Sequence, residues 1–286
     1  MKNFWICVAA ALAPTFALAW GQEGHSIVGE LADRNLSAEA HRVIAQDILG
    51  PGVSLASVAN WADTVAHGSR PDTYGWHFVD IPLAQNSYDQ ARDCVYRPKE
   101  GAPVKDDCVV LAIEQNAAIV GDKTAPRALR RDALKFLVHF VGDIHQPLHT
   151  VDEEAGGNGV KVFFPCDQAT GKCSTEPNSN LHSVWDGGLF RPPPYYSWGE
   201  LLDALTVQWV DTGRVSLLLD QCQQPKTQVS CWALEAHAIA NKPGYWVPQG
   251  AKLGPDYVKM VSQDRDQQLV RAGMRLARLI NSLLAP

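Results

Sequence analysis

After its first twenty residues the sequence contains no apolar run of bilayer length, which takes about 20 consecutive residues. The one at 4–16 is itself too short. It follows Lys2 and precedes Ala17-Leu18-Ala19, the small-x-small pattern of a secretory signal peptide. Residues 1–19 are therefore expected to be removed on export, leaving a chain that starts at Trp20; an uncleaved anchor is the other reading. An apolar stretch at 269–284 carries Arg271, Arg275 and Arg278 at helical spacing, which predicts an amphipathic packing helix. Basic charge is also in short supply. Without Lys2, 24 of the 25 Lys+Arg remain against 31 Asp+Glu, a formal charge of −7. Proteins that grip duplex DNA by counterion release show a basic face. Either the substrate is not a polyanion, or bound cations supply the positive charge. No internal repeat and no Ser/Gly-rich linker breaks the chain, so 20–286 is expected to be one domain with a sizeable core. The stretches 82–107 and 165–180 read as its decorated loops.

No Cys-x-x-Cys pair occurs, which argues against thiolate zinc sites. Of seven cysteines, Cys7 leaves with the signal, and an even remainder in an exported chain predicts disulfides. Cys94 with Cys108, Cys166 with Cys173, and Cys222 with Cys231 is the preferred pairing, each bracketing one loop.

Strand patterns are scarce as well. Only 76–81 and 160–164 read as short strands, whereas 26–34, 37–49, 55–66, 127–144 and 256–284 carry helical spacing. Ser37 is an N-cap without a capping box. On 127–144, Leu129, Leu134, Leu137, Val138 and Val141 form the apolar side. The class is mainly α.

Within that frame the histidines cluster. His139 and Asp143 lie four apart, one turn of helix on one face, and His182 and Asp186 repeat the spacing. His149 follows just after Pro147, which forces the chain out of regular helix. Upstream come Trp61-Ala62-Asp63 and Trp76-His77-Phe78. One His-x-x-x-Asp alone is more often a hydrogen-bonded pair, but two, with further imidazoles and carboxylates among apolar neighbours, point to shared metal. After cleavage, Trp20-Gly21-Gln22-Glu23-Gly24-His25 offers a free amine of low pKa beside His25. Trp20 reads otherwise as an aromatic plug.

In these residues the sequence resembles the type I nuclease family, the single-strand-specific zinc nucleases and 3′-nucleotidases. The matching stretches are Trp20-Gly21-x-x-Gly24-His25, Trp61-Ala62-Asp63, Trp76-His77-Phe78-Val79-Asp80, His139-Phe140-Val141-Gly142-Asp143-Ile144-His145-Gln146-Pro147-Leu148-His149, Gly156-Gly157-Asn158, and Asn180-Leu181-His182-Ser183-Val184-Trp185-Asp186. They run in family order from Trp20 to Asp186; the C-terminal third matches as helix-rich scaffold. The resemblance implies a single helical domain of the zinc phospholipase C and type I nuclease kind, with one or two short strands and disulfide-closed loops. It implies three zinc ions: one on Asp63, His77, His139 and Asp143; a second on His149, His182 and Asp186; a third on the amine and carbonyl of Trp20 with His25 and Asp143.

Asp63, Asp143 and Asn158 then carry the catalytic roles. The resemblance implies that zinc would activate a water for attack on phosphorus, leaving a 5′-phosphate, and that Asn158 would donate to the phosphate in the transition state. By the same resemblance Phe78 would stack on a base and Asp80 would bond its edge, so single-stranded DNA, RNA and 3′-nucleotides are the expected substrates. Phe78 as a core aromatic and Asp80 as a turn acid is the plainer reading. No stable membrane association and a monomer are expected. The family often has a basic residue where this chain has Ala66; His67 or Arg70 is the candidate substitute. His145 is expected to bond structurally, and His41, His67 and His237 have no assigned ligand role. A zinc-dependent phospholipase C and a secreted protein with purely structural zinc are the competing readings.

Overall fold

The structure is a computed structural model that describes residues 20–98, 101–167, 170, 172–190, 197–219, 222 and 228–285. The expected signal segment, 1–19, lies outside the described residues. In chain order the helices are α1 (Gln22–Arg34), α2 (Ala38–Val43), α3 (Leu55–Val58), α4 (Trp61–Ala66), α5 (Gln90–Asp93), α6 (Val109–Gly121), α7 (Arg127–Asp143), α8 (Glu154–Gly157), α9 (Leu181–Asp186), α10 (Trp198–Leu205), α11 (Val215–Leu219), α12 (Gln228–Ala240) and α13 (Pro255–Leu283). The strands are short: β1 (Val95–Tyr96), β2 (Val104–Lys105), β3 (Lys161–Phe163), β4 (Ser179–Asn180) and β5 (Ala251–Lys252). The mainly-α class is as expected.

Helix α7 lies at the centre. Every residue from Phe136 to Asp143 is buried, the mark of a helix surrounded on all sides. It packs against α1, α4, α6 and α13. On α6 the buried face is Val109, Val110, Ala112, Ile113 and Val120. Buried Arg130 fixes the register of the two helices by donating twice to the carbonyl of Val120, at 3.1 and 3.0 Å, in the last turn of α6. The expected C-terminal helix runs as α13. Its buried Arg275 pairs with Glu235 of α12 at 2.5 Å.

Several boundaries differ from the sequence reading, each for a local reason. Leu129 is 49 % exposed, because the inward row of α7 begins with Arg130, Ala133 and Leu134. The span 37–49 starts as α2, with the Ser37 hydroxyl accepting from Ala40 N, then widens into a π turn over Ile44–Ile48. Residues 55–66 break at Ala59 and Asn60, and the buried carbonyl of Ala59 is used by the site. The expected strand at 76–81 is absent. Pro71, with its preset φ, opens a 3-10 turn over Pro71–His77, and only the residues after it are extended.

The predicted strand at 160–164 is β3, central in the order β4-β3-β5. It pairs antiparallel with β4 (Val162 opposite Ser179) and parallel with β5 (Val162 opposite Ala251). All three expected disulfides form: Cys94–Cys108, Cys166–Cys173 and Cys222–Cys231. No helix of the described residues is long and apolar enough to cross a membrane.

Candidate metal centre

Helical period brings His139 and Asp143 to one face of α7, and His182 and Asp186 to one face of α9. The Asn180 side chain starts α9 by accepting from Ser183 N at 2.8 Å. Between them, Gln146 caps the 3-10 turn Pro147–Thr150 by accepting from Leu148 N at 2.6 Å, which turns His149 back toward α7. Asp63 comes from α4, His77 from the end of its 3-10 turn, and His25 from α1. All are buried.

Backbone carbonyls orient four of the imidazoles. Nδ1 of His139 donates to Ala59 (2.7 Å), of His149 to His77 (2.7 Å), of His182 to Gly156 (2.7 Å), and of His77 to Thr73 and Tyr74 (3.1 Å each). That fixes the ring orientation and aims each Nε2 at the carboxylates. His25 is held differently. It stacks on His139 with ring centroids 3.9 Å apart, and neither ring nitrogen has a hydrogen-bond partner. Its ring lies so close to α7 that a Cβ on Gly142 would stand 2.7 Å from Nδ1. The Gly156 carbonyl is presented by a left-handed backbone: φ is 51° at Glu154, 53° at Ala155, 62° at Gly156 and 83° at Gly157. Such backbone costs roughly 1–2 kcal/mol per non-glycine residue and gathers at functional sites.

The donor atoms converge into three groups: His25, His139 and Asp143; Asp63, His77 and His139; and His149, His182 and Asp186. Buried atoms without a hydrogen-bond partner include both ring nitrogens of His25, Nε2 of His77, His139 and His149, Oδ2 of Asp63 and Asp186, and both oxygens of Asp143. Leaving so many buried lone pairs facing one another is costly unless a cation lies between them. The spacing agrees. A tetrahedron with bonds of about 2.0–2.1 Å has edges of about 3.3–3.4 Å. Nitrogen–oxygen separations are 3.3 Å for His25–Asp143, 3.3 Å for His139–Asp143, 3.4 Å for His139–Asp63 and 3.3 Å for His182–Asp186. His77–Asp63 at 3.6 Å and His149–Asp186 at 3.7 Å are slightly looser. The residues fit divalent ions of zinc size.

Four of the imidazoles are held in the neutral form that ligates metal, whereas His139 and two of the carboxylates take up protons when no cation lies between them. Burial holds His25 well below its ordinary range, and pulls His77 down to about 3, His149 to about 4, and His182 lower too, so these rings are neutral at pH 7. Burial opposes the charge on His139 as well, but Asp143 and Asp63 raise it to about 9. Burial lifts Asp186 to about 7 and Asp143 well above the carboxylate range, with Asp63 and Asp186 adding to the latter. Asp63 goes the other way: burial pushes it up, but His139, His77 and His25 together hold it lower.

The cluster opens onto a cleft of about 670 Å³ that Phe78, Asp80 and Asn158 line, together with Asp63, His77, His149 and His182. Burial, with Asp152 nearby, raises Asp80 to about 7. Asn158 gives one N–H to the carbonyl of Ala155, at 2.9 Å, which leaves its other N–H free to donate. His67 also lines the cleft beside Ala66, whereas Arg70 forms an exposed bidentate pair with Asp72. Sequence reading missed Tyr74, Tyr96, Arg97 and Asp152 in the same wall, and the second role of Gln146, whose Nε2 donates to Asp186 Oδ1 at 2.7 Å. His145 is structural as expected: Nδ1 bonds Val141 O at 2.7 Å and Nε2 meets Arg275 at 2.9 Å. His237 is a buried core histidine between the carbonyls of Thr150 and Gln85. Trp20 is fully buried and edge-on to Phe190, and Gly21 lies against the carbonyl of Asp186.

A helical chain with three convergent His/Asp groups at the floor of an open cleft has the layout of a hydrolase built around several metal ions. The profile described as "S1/P1 Nuclease" matches residues 20–285. Nuclease P1 of Penicillium citrinum is 30 % identical over 92 % of this chain and 97 % of its own length. Endonuclease 4 of Arabidopsis thaliana is 31 % identical over 94 % and 90 %. Nuclease S1 of Aspergillus oryzae is 29 % identical over 93 % of each. The chain belongs to the S1/P1 nuclease family, and its chemical class is that of a nuclease.

Proposed function

We propose that this chain is an exported, zinc-dependent nuclease that hydrolyses single-stranded DNA and RNA to 5′-phosphorylated products and also acts on 3′-nucleotides. The observation that carries the reading is the set of buried, unpartnered nitrogen and oxygen atoms at tetrahedral spacing on the floor of the cleft. Residues 20–286 form its single domain, and 1–19 its signal peptide; the three disulfides suit an oxidising destination.

Asp63, His77, His139 and Asp143 hold one ion, and His149, His182 and Asp186 a second. Trp20, through its free amine and carbonyl, holds a third with His25 and Asp143. Zinc at such a site supplies Lewis acidity toward phosphoryl oxygens and lowers the pKa of an attacking water. The protein's own part is preorganisation. The four carbonyl-bound imidazoles cannot swing away, and Asp143 faces both His25 and His139 at 3.3 Å, within reach of both donor groups. Asn158 donates its spare N–H to a phosphate oxygen, with more effect as charge builds in the transition state. Phe78 stacks on a base, and Asp80 accepts from its edge. A paired base offers neither its face nor its edge, so single strands are preferred.

The test is an assay of the protein beginning at Trp20 on single-stranded DNA, RNA and phosphatidylcholine in parallel, with and without chelator. Nucleic acid cleaved to 5′-phosphorylated ends, blocked by chelator and restored by zinc, is the expected result. Phosphocholine release with intact nucleic acid would move the protein to a phospholipase.

A further inference from the structure

One wall of the cleft is not needed to hold metal. The hairpin β1–β2 lies inside the Cys94–Cys108 loop, with Tyr96 opposite Val104. Backbone bonds tie the base of that loop to the Phe78–Asp80 segment: Asp80 N to Asp93 O at 3.1 Å, Asp107 N to Cys94 O at 3.1 Å, and Val109 N to Phe78 O at 2.9 Å. The hairpin therefore carries Tyr96 and Arg97 onto the cleft beside Phe78, while the 3-10 turn before His77 brings Tyr74. The three rings form a cluster with centroids 6.1 Å (Tyr74–Phe78), 5.9 Å (Phe78–Tyr96) and 5.8 Å (Tyr74–Tyr96) apart. Phe78 meets the tyrosines at 73° and 69°, so it stacks flat on neither of them. Core packing does not account for the group, since Tyr74 is 41 % exposed and all three rings line open space.

Charge points the same way. Among the described residues lining the cleft, Arg97 is the one lysine or arginine, and it is exposed. Its guanidinium donates to the Val95 carbonyl at 3.3 Å, which leaves most of its fork free. Asp80 and Asp152 on the same wall would repel a phosphodiester that had no cation to meet.

We propose that Tyr74, Tyr96 and Arg97 form a second nucleotide subsite, taking the base and the phosphate of the nucleotide next in the strand to the one that reacts. The proposal rests on the cleft being a nucleic-acid site. Stacking on the tyrosines tolerates any base, and Arg97 engages the backbone, so the subsite favours strands over mononucleotides without reading sequence.

The test uses the full zinc-loaded protein with an uncleaved phosphorodithioate oligoadenylate, binding being followed by fluorescence anisotropy. Tyr96→Leu and Tyr74→Leu are expected to weaken binding about five- to hundredfold, whereas Tyr96→Phe, which keeps the ring, restores it. Arg97→Ala is expected to lower the slope of log affinity against log salt by about 0.7. On cleavable substrates, the leucine variants lower the ratio of kcat/KM for oligoadenylate over 3′-AMP by the same factor. Unaltered oligonucleotide binding in Tyr96→Leu and Arg97→Ala would overturn the subsite, as would equal losses on both substrates. Binding needs no turnover, so a wild-type protein that binds the oligonucleotide but cleaves nothing sinks the proposed activity and leaves the subsite standing.

Discussion

The His25 side of the metal centre and the side made by His149 and His182 are held by different physics. His149 and His182 are each locked by a carbonyl at 2.7 Å, and their partner Asp186 is fixed by Gln146, also at 2.7 Å. His25 has no hydrogen bond at either nitrogen; stacking on His139 and the absence of a side chain at Gly142 set its place. One group is preorganised by the fold itself. The other has its donors in place without that hydrogen-bonded support, and the amine of Trp20 is our candidate for a further ligand there. Asp143 stands between the two conditions, with 3.3 Å to His25 and to His139 and no hydrogen bond of its own.

Breaking Asp143 should therefore have the largest effect. Asp143→Asn is expected to lower kcat by more than about 100-fold, beyond the range of outer-shell changes. Its effect on stability should change sign with metal. Burial raises the folded-state pKa of Asp143 well above its unfolded value, so in chelated protein its contribution falls as pH rises past about 4. Calorimetry should then show chelated Asp143→Asn melting about 2–4 °C or more above chelated wild type at pH 7. Zinc-loaded, the order should reverse. Equal loss of fold and turnover with zinc bound would instead indicate a structural metal role.

Adding residues before Trp20 sharpens the comparison. Elemental analysis should find one ion fewer, with the His149 side and the His77 side still filled; full occupancy and full activity would remove the amine from the site. Next in size is Gln146→Met, which keeps length but loses the donor to Asp186 and the cap on the turn that carries His149. Zinc titration should show one site weakened about 10- to 100-fold, with the His25 side little affected. The smallest effect lies on the cleft wall. Asp80 titrates near 7, and its carboxylate form accepts base N–H groups. Affinity for adenine-containing 3′-nucleotides should rise as pH goes from 6 to 8, and Asp80→Asn should flatten that rise in KM.

How much of this was legible beforehand depended on how local the geometry was. His139 with Asp143, and His182 with Asp186, were readable because helical period alone brings them together. The three disulfides were readable because each closes a short loop. What needed the fold was anything set by a distant backbone. Residues 76–81 read as a short strand, yet Pro71 and the bonds from His77 Nδ1 to Thr73 and Tyr74 wind the chain as far as His77 into a turn, and the extended residues after it form no strand. Gln146 was visible in its motif, but its tie to Asp186 spans 40 residues. Tyr96 and Arg97 sit in a loop that looked like decoration, and only the backbone bonds of 93, 94 and 109 bring that loop to the cleft. Leu129 fitted the apolar row of α7, but α7 begins its buried face one residue later.

The most direct measurement is anomalous scattering at the zinc edge from crystals of the protein beginning at Trp20, grown with zinc. The account predicts three peaks, one within each His/Asp group, with Asp143 touching two of them. A map with no peak among these side chains would contradict it.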